Sequence, residues 1–352
     1  MIWLLACTGS EPADTGSDRA PLQTLDTAHA LALQFTERWP AETLAFDWIQ
    51  TVFAWGVYRT WVKTGDPALW DYLVAWQQDE VDAYADGAGF VSSDSMSPAL
   101  LASVLMDEDP SLGLEPVLDA AWAYLDVVPT LSNGAWAHWG HDNAYGMPSD
   151  QVWIDSHFML GMFLLAEGER SGNASGFSEQ YAAWSELCRH ESDLYFHAWD
   201  EAAGATIPTD EVFWSRGNSW VAVAAVEAEL VGEPVDGLDE HLAALVATQA
   251  DDGLFKTVLN DPHDDPDNYT ETSGAALIGA ALARRGGYDA LPAIVDGVLG
   301  RLEETDGVWE LEGTSYGTNP SDYDGYVAVP VADDLMTGVG AVLMLLADAD
   351  GL

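Results

Sequence analysis

Residues 55–76 read WGVYRTWVKTGDPALWDYLVAW. An apolar-periodic run ends in a polar turn holding Gly65 and Pro67, and a second apolar-periodic run follows. Apolar residues recurring every three to four positions mark a helix with one buried face. Gly and Pro between two such runs end one helix and open the next. The unit returns as MFLLAEGERSGNASGFSEQYAAW (162–184), AVEAELVGEPVDGLDEHLAAL (225–245) and ALARRGGYDALPAIVDGVL (281–299). Gly65, Gly168, Gly232 and Gly286 are read as the turn glycines. The first two lie about twice as far apart as the last two. A further unit should therefore turn near residue 110, where DEDPSLG (107–113) stands.

This spacing predicts first helices over roughly 43–63, 97–107, 151–170, 217–232 and 270–286. Second helices follow over roughly 67–84, 113–126, 177–191, 236–250 and 288–304. Two more are expected, over 22–38 and 331–349. A repeat of about 50 residues means a solenoid or a ring. An open α-solenoid needs polar caps at its ends. Here both end helices are apolar, through Leu22, Leu25, Leu31 and Phe35 and through Val339, Val342, Leu343 and Leu346. Pairing them hides both faces and closes a toroid. The expected fold is an all-α (α/α)6 barrel of six hairpins, formed by residues 21–352 as one domain.

Composition narrows the partners. The 352 residues hold 59 Asp and Glu against 11 Lys and Arg, for a formal charge of −48. Nucleic acid is excluded, because phosphate contacts need clustered cations. Anionic lipid headgroups are excluded as a docking surface for the same reason. Hydrophobic residues make up 48%, enough for a large core. Cys7 and Cys188 are too few for a disulfide framework, and Cys188 reads as an inert buried thiol. The 16 Trp are expected mostly in the core, with some free to stack on sugar rings.

Met-Ile-Trp-Leu-Leu-Ala-Cys7 resembles the lipobox of bacterial lipoproteins, with residues 1–20 as signal and tether and Cys7 as lipid anchor. Only six residues precede Cys7 and none is basic, unlike an ordinary signal. The alternative is an ordinary chain terminus. The lipoprotein reading places the protein in the bacterial cell envelope.

In a ring of hairpins the first helices share one direction, so their N-termini share one rim. The segments entering them are Ser93-Asp94-Ser95-Met96, Gln151-Val152-Trp153-Ile154-Asp155, Trp214-Ser215-Arg216-Gly217-Asn218, Asn268-Tyr269-Thr270-Glu271-Thr272 and Ala332-Asp333-Asp334. Helix-start carboxylates serve as N-caps in many proteins, and that reading stays open for each. The rim would favour an anionic ligand through helix dipoles. Asp155 stands among Trp153, Ile154 and Phe158. Such apolar surroundings are expected to raise its pKa and suit it to general acid work. Arg216 is a scarce cation, suited to grip a carboxylate bidentately or to form a structural ion pair. Gly217 beside it permits close approach of backbone or ligand. His138, His141 and His197 complete the polar set. His138 and His141 without a third ligand are a weak metal signal, and DPHDDPDN (261–268) lacks the order of a calcium-binding EF-hand loop. No metal and no organic cofactor is expected.

Six ordered elements resemble the unsaturated rhamnogalacturonyl hydrolases of glycoside hydrolase family 105. They are Gly134-Ala-Trp-Ala-His138, Gln151-Val-Trp-Ile-Asp155 through Met159, and Tyr195-Phe-His-Ala-Trp-Asp200. Trp214-Ser-Arg-Gly-Asn-Ser-Trp220, Tyr269-Thr-Glu-Thr-Ser-Gly-Ala-Ala276, and Asp334 with Gly338-Val-Gly-Ala341 complete the set. Ser219 stands where that family has Gly, and one extra residue separates Asp334 from Gly338. The resemblance extends to the family 88 unsaturated glucuronyl hydrolases. It implies the same barrel and an anionic oligosaccharide ending in a 4,5-unsaturated uronic acid. It further implies that Asp155 protonates C4 and that Asp94 orients water or ring hydroxyls. His138, His197 and Arg216 would hold the uronate, and Trp153, Trp214 and Trp220 would line the sugar. A monomer or dimer is expected. The rival reading is a non-catalytic glycan-binding protein on the same ring.

Overall fold

The computed structural model describes residues 21–173 and 175–352. The lipobox-like stretch and Cys7 lie outside the described residues. Among the described residues, twelve helices of nine or more residues form two concentric layers. The inner layer is α2 (Trp48–Thr64), α5 (Ala99–Glu108), α8 (Gly161–Ser171), α10 (Ser215–Leu230), α12 (Thr272–Arg285) and α15 (Met336–Ala349). The outer layer is α1 (Leu25–Arg38), α3 (Pro67–Ala85), α6 (Glu115–Leu125), α9 (Phe177–Cys188), α11 (Leu238–Val246) and α13 (Leu291–Leu299). Short helices α4 (Ser93–Met96) and α7 (Ser156–Met159) lead into α5 and α8, and α14 is Tyr323–Val327. Each inner helix packs on the next, and α15 packs on α2 to close the ring. The expected barrel of six hairpins is thus the observed fold.

Inner helices are buried on nearly all sides. From Thr51 to Thr60 every residue of α2 is buried, as is all of α15 from Thr337 to Ala349. Outer helices bury one stripe each, such as Leu69, Leu73 and Trp76 of α3. Ring closure depends on two glycines. A Cβ on Gly56 would lie 2.3 Å from Gly340 O, and one on Gly340 would lie 2.3 Å from Val52 O. Only glycine lets α2 and α15 approach so closely. The ends join as expected: Leu22 N–H donates to Leu352 O and Gly351 N–H to Leu22 O. Far from the rim, a buried ionic cluster ties four inner helices together. Glu227 of α10 pairs with Arg59 of α2 and Arg284 of α12, and Arg59 also pairs with Asp348 of α15.

Three expectations are corrected. Gly168 lies inside α8; the turn glycine is Gly172, in the left-handed region at φ 68°. The helix expected over 288–304 stops at Leu299. Residues 302–305 and 308–311 form a β-hairpin around Asp306 and Gly307, both at positive φ, a turn that matches strand twist. The helix expected over 151–170 breaks into a strand, β1 (Gln151–Trp153), then α7 and α8.

Candidate functional site

Backbone pairing along the rim builds the site. Ser93 N–H donates to His138 O, His138 N–H to Gln151 O, and Ile154 N–H to His197 O, each at 2.9 Å. Strand β1 pairs antiparallel with β2 (Ala198–Asp200), which pairs with β3 (Ala205–Ile207). Asp94, His138, Asp155 and His197 therefore sit on adjoining rungs of one hydrogen-bonded ladder. Four residues separated by up to 103 positions become neighbours.

Asp155 stands at the break between β1 and α7. Its side chain caps no helix, so the N-cap reading does not hold. Its Oδ2 lies 3.1 Å from His197 Nε2. The side chain is 12% exposed and His197 is wholly buried. His197 Nδ1 lies 3.0 Å from the Tyr326 hydroxyl. Burial, the largest single influence, pushes the Asp155 carboxyl up, but His197, His138 and a backbone hydrogen bond together more than offset it and hold the group below the usual carboxylate range. Burial likewise pushes His197 down, against the pull of Asp155. The expected rise in the Asp155 pKa is thus corrected. The apolar neighbours are present, yet the lowering influences together outweigh burial, and we assign an ionised Asp155 beside a neutral His197 at neutral pH.

Asp94 and His138 form a second pair, with Oδ2 and Nε2 at 3.4 Å. His138 Nδ1 faces Ser93 Oγ at 2.6 Å and Ser156 Oγ at 3.2 Å. Asp47, the N-cap of α2, adds a third carboxylate nearby. Burial raises its pKa and the Asp94 charge raises it further. The aromatic residues brace the histidines. Trp153 stacks on His138 at 4.4 Å and 9°, and Trp214 stacks on His197 at 4.3 Å and 25°. Tyr326 lies parallel to Trp214 at 1°. Trp153 and Trp214 are buried, so they line the site beneath the histidines rather than offering a free face. Trp220 packs on Phe158 in the core at 4.9 Å, which corrects its expected contact with sugar.

Arg216 is also corrected. It is 1% exposed. Its Nη1 donates to Ser273 Oγ, Ser315 O and Ser315 Oγ, and its Nη2 to Tyr316 O and Thr318 Oγ1. Glu271 lies 3.6 Å away. The guanidinium is a structural tie for residues 315–318, not a free carboxylate clamp. Gly217 serves that packing, since a Cβ there would meet the Trp214 ring at 2.6 Å. Other rim groups are structural as well. Glu271 caps α12 through Ser273 and Gly274 N–H, Asn218 bonds Tyr195 and Trp214 backbone, and Asp334 pairs with Arg38. His141 is exposed beside Ser149. Among the described residues, no group of three His, Cys, Asp or Glu is placed to hold a metal ion. Cys188 is fully buried, and burial pushes its thiol up.

Tyr326, Asp47, Ser93 and Ser156 escaped the sequence reading as site residues. Tyr326 gave no signal, because its partner His197 is 129 positions away. Asp47 sat in view as a polar residue before an apolar helix.

The family model of Glycosyl Hydrolase Family 88 matches residues 26–350. The unsaturated rhamnogalacturonyl hydrolase YesR of Bacillus subtilis (strain 168) is 29% identical over 326 residues, spanning 86% of this chain and 89% of YesR. A family 105 glycoside hydrolase of C. acetobutylicum ATCC 824 superposes with a TM-score of 0.80 at 19% identity, over 92% of this chain and 98% of its own. The unsaturated glucuronyl hydrolase of Bacillus sp. GL1, responsible for the degradation of glycosaminoglycan, gives 0.71 at 16% identity, over 92% and 95%. These two likenesses establish the shared ring fold.

Proposed function

Given that the chain belongs to glycosyl hydrolase family 88, and is thereby a glycoside hydrolase, we propose that it removes a 4,5-unsaturated uronic acid from the non-reducing end of oligosaccharides released by a polysaccharide lyase. The observation that carries this reading is the buried Asp155 carboxylate, held by His197 at 3.1 Å, with Asp94 already engaged by His138. Ordinary glycoside hydrolysis places two carboxyl groups across the glycosidic bond. Hydration of a vinyl ether needs one carboxyl group that gives a proton and then takes one back.

The proton of Asp155 adds to C4, and positive charge develops on C5 and the ring oxygen. Water adds to C5 and returns its proton to Asp155. The hemiketal opens to a 5-keto sugar, and the C1 hemiacetal releases the leaving sugar. In the free site Asp155 is ionised, so it must gain its proton as substrate binds. The uronate brings a negative charge against a buried carboxylate, and like charges raise a pKa. Asp94 with His138 orients water or ring hydroxyls. With Arg216 committed to its own chain and both histidines buried against their own partners, helix N-termini are left to meet the uronate.

Rhamnogalacturonan fragments are the favoured class, because YesR, which matches across most of the chain, is a rhamnogalacturonyl hydrolase. Loss of the unsaturated uronate's ultraviolet absorbance, measured across rhamnogalacturonan, ulvan and glycosaminoglycan lyase products, tests both claims. No loss with any product would favour the glycan-binding reading. Loss with glycosaminoglycan products alone would move the substrate. For localisation, we place the protein in the cell envelope through Cys7. Incorporation of labelled fatty acid that vanishes in Cys7→Ser is the expected result, and equal labelling of both would refute it.

A further inference from the structure

We infer that Tyr326 is a positioning residue that fixes the tautomer of His197 and so decides which oxygen of Asp155 handles the proton. The inference rests on the proposed reaction for its kinetic consequence, but its structural half stands on hydrogen-bond polarity alone. The Ser321 backbone N–H, which can only donate, lies 3.1 Å from the Tyr326 oxygen. That oxygen also lies 3.0 Å from His197 Nδ1. Tyr326 is wholly buried. If Nδ1 carried a proton, the tyrosine oxygen would face two donors, and its own hydroxyl proton would find no acceptor among the described residues. A buried donor left without an acceptor is strongly disfavoured.

The opposite end of the ring demands the same arrangement. His197 Nε2 faces Asp155 Oδ2 at 3.1 Å. A bare Nε2 there would set lone pair against lone pair. The relay that satisfies every group runs one way: Ser321 N–H to Tyr326, Tyr326 O–H to Nδ1, and Nε2–H to Asp155 Oδ2. Trp214, stacked at 4.3 Å, and Tyr326 at 5.9 Å hold the ring against the flip that would put Cδ2 and Cε1 where Nδ1 and Nε2 stand. Burial keeps the Tyr326 hydroxyl protonated by pushing its pKa up. With Oδ2 held as acceptor, Oδ1 is the oxygen that carries the proton to C4. His197, His138 and His157 are the titratable groups facing Asp155, with Tyr326 and Arg216 beyond His197. Arg216 has its place in this device, since it ties down residues 315–318 ahead of the Ser321–Tyr326 turn.

The test has a structural arm and a kinetic arm on the full chain. Nitrogen-15 NMR of labelled protein, with His197 assigned by its absence in His197→Gln, should show a neutral ring protonated at Nε2. A wild-type ring protonated at Nδ1 overturns the proposal without any variant, and this arm needs no substrate. In Tyr326→Phe, Asp155 alone is left to select the tautomer, and a population protonated at Nδ1 should become detectable. Turnover should fall ~10-fold, about the worth of one buried hydrogen bond, with KM little changed. Loss of the Nε2–H donor should raise the Asp155 pKa, so the alkaline limb of the pH profile should move to higher pH. The side chain of Gln at 197 presents a fixed amide donor near the Nε2 position. Tyr326→Phe should therefore add no further loss in the His197→Gln background. An equal loss in both backgrounds would show that Tyr326 merely supports its segment and would overturn the positioning role. A wild type inactive on every lyase product but protonated at Nε2 would sink the proposed function and leave the relay standing.

Discussion

Replacing Arg216 by Met removes five hydrogen bonds and the ion that faces Glu271. Met fills most of the stem volume, so the cavity left is small. The dominant cost is electrostatic. Glu271 is wholly buried, and removing one partner of a buried pair costs about 3–5 kcal/mol. Glu271 keeps its bonds from Ser273, Gly274 and Ser315 N–H, which places the expected loss at the lower end, about 3 kcal/mol. For 352 residues an unfolding entropy of about 2.1 cal/mol/K per residue gives roughly 0.7 kcal/mol/K. The melting temperature should then fall by ~4 °C. Arg216→Lys keeps the charge but not the planar fork, and should recover about half of the loss. Calorimetry at matched salt and pH reads both variants. An Arg216→Met protein that melts with the wild type, and loses affinity for a uronate ligand instead, would refute the structural assignment and restore the clamp.

Three further outcomes are expected. Asp155→Asn keeps the shape and an oxygen for His197 but has no proton to give, so activity should fall by the roughly 10²–10⁴-fold typical of general acids; near wild-type turnover would remove Asp155 as the acid. His157 is buried among Tyr181, Trp184 and Tyr195, and burial pushes its pKa down to about 4 from 6.5. The unfolded chain therefore takes up its proton first as pH falls, and stability should drop between pH ~6.5 and ~4 by about 3 kcal/mol from this group; denaturant titrations of His157→Asn should show a flatter slope there, and an identical slope would exclude His157 as the source. Finally, a net charge of −48 repels itself when unscreened, so the melting temperature should climb between low and molar salt, and a flat response would show that surface charge is not limiting.

The ring was legible in the sequence because it is a local pattern repeated. Each hairpin writes its own apolar stripe and its own Gly-bearing turn, and the apolar end helices announce closure. Errors came where two local signals competed. Gly168 and Gly172 stand four apart, and only the helix's actual end decided between them. Asp306-Gly307 is a hairpin signal that the helical repeat overrode on paper but not in the fold. Asp94 and Asp155 were likewise readable from the rim segments that hold them, and His138, Asp155 and His197 from their ordered motifs. Their charge states and roles were not. Whether Asp155 rises or falls in pKa depends on a histidine 42 positions away, brought within 3.1 Å by strand pairing. Whether Arg216 grips a ligand or a loop depends on Ser315, Tyr316 and Thr318, about a hundred positions on. Whether Trp214 and Trp220 meet sugar or protein depends on which rings stack over them. Periodicity is carried by neighbours in the chain and survives in one dimension. Electrostatics and hydrogen-bond polarity are set by neighbours in space, and only the closed ring supplies those.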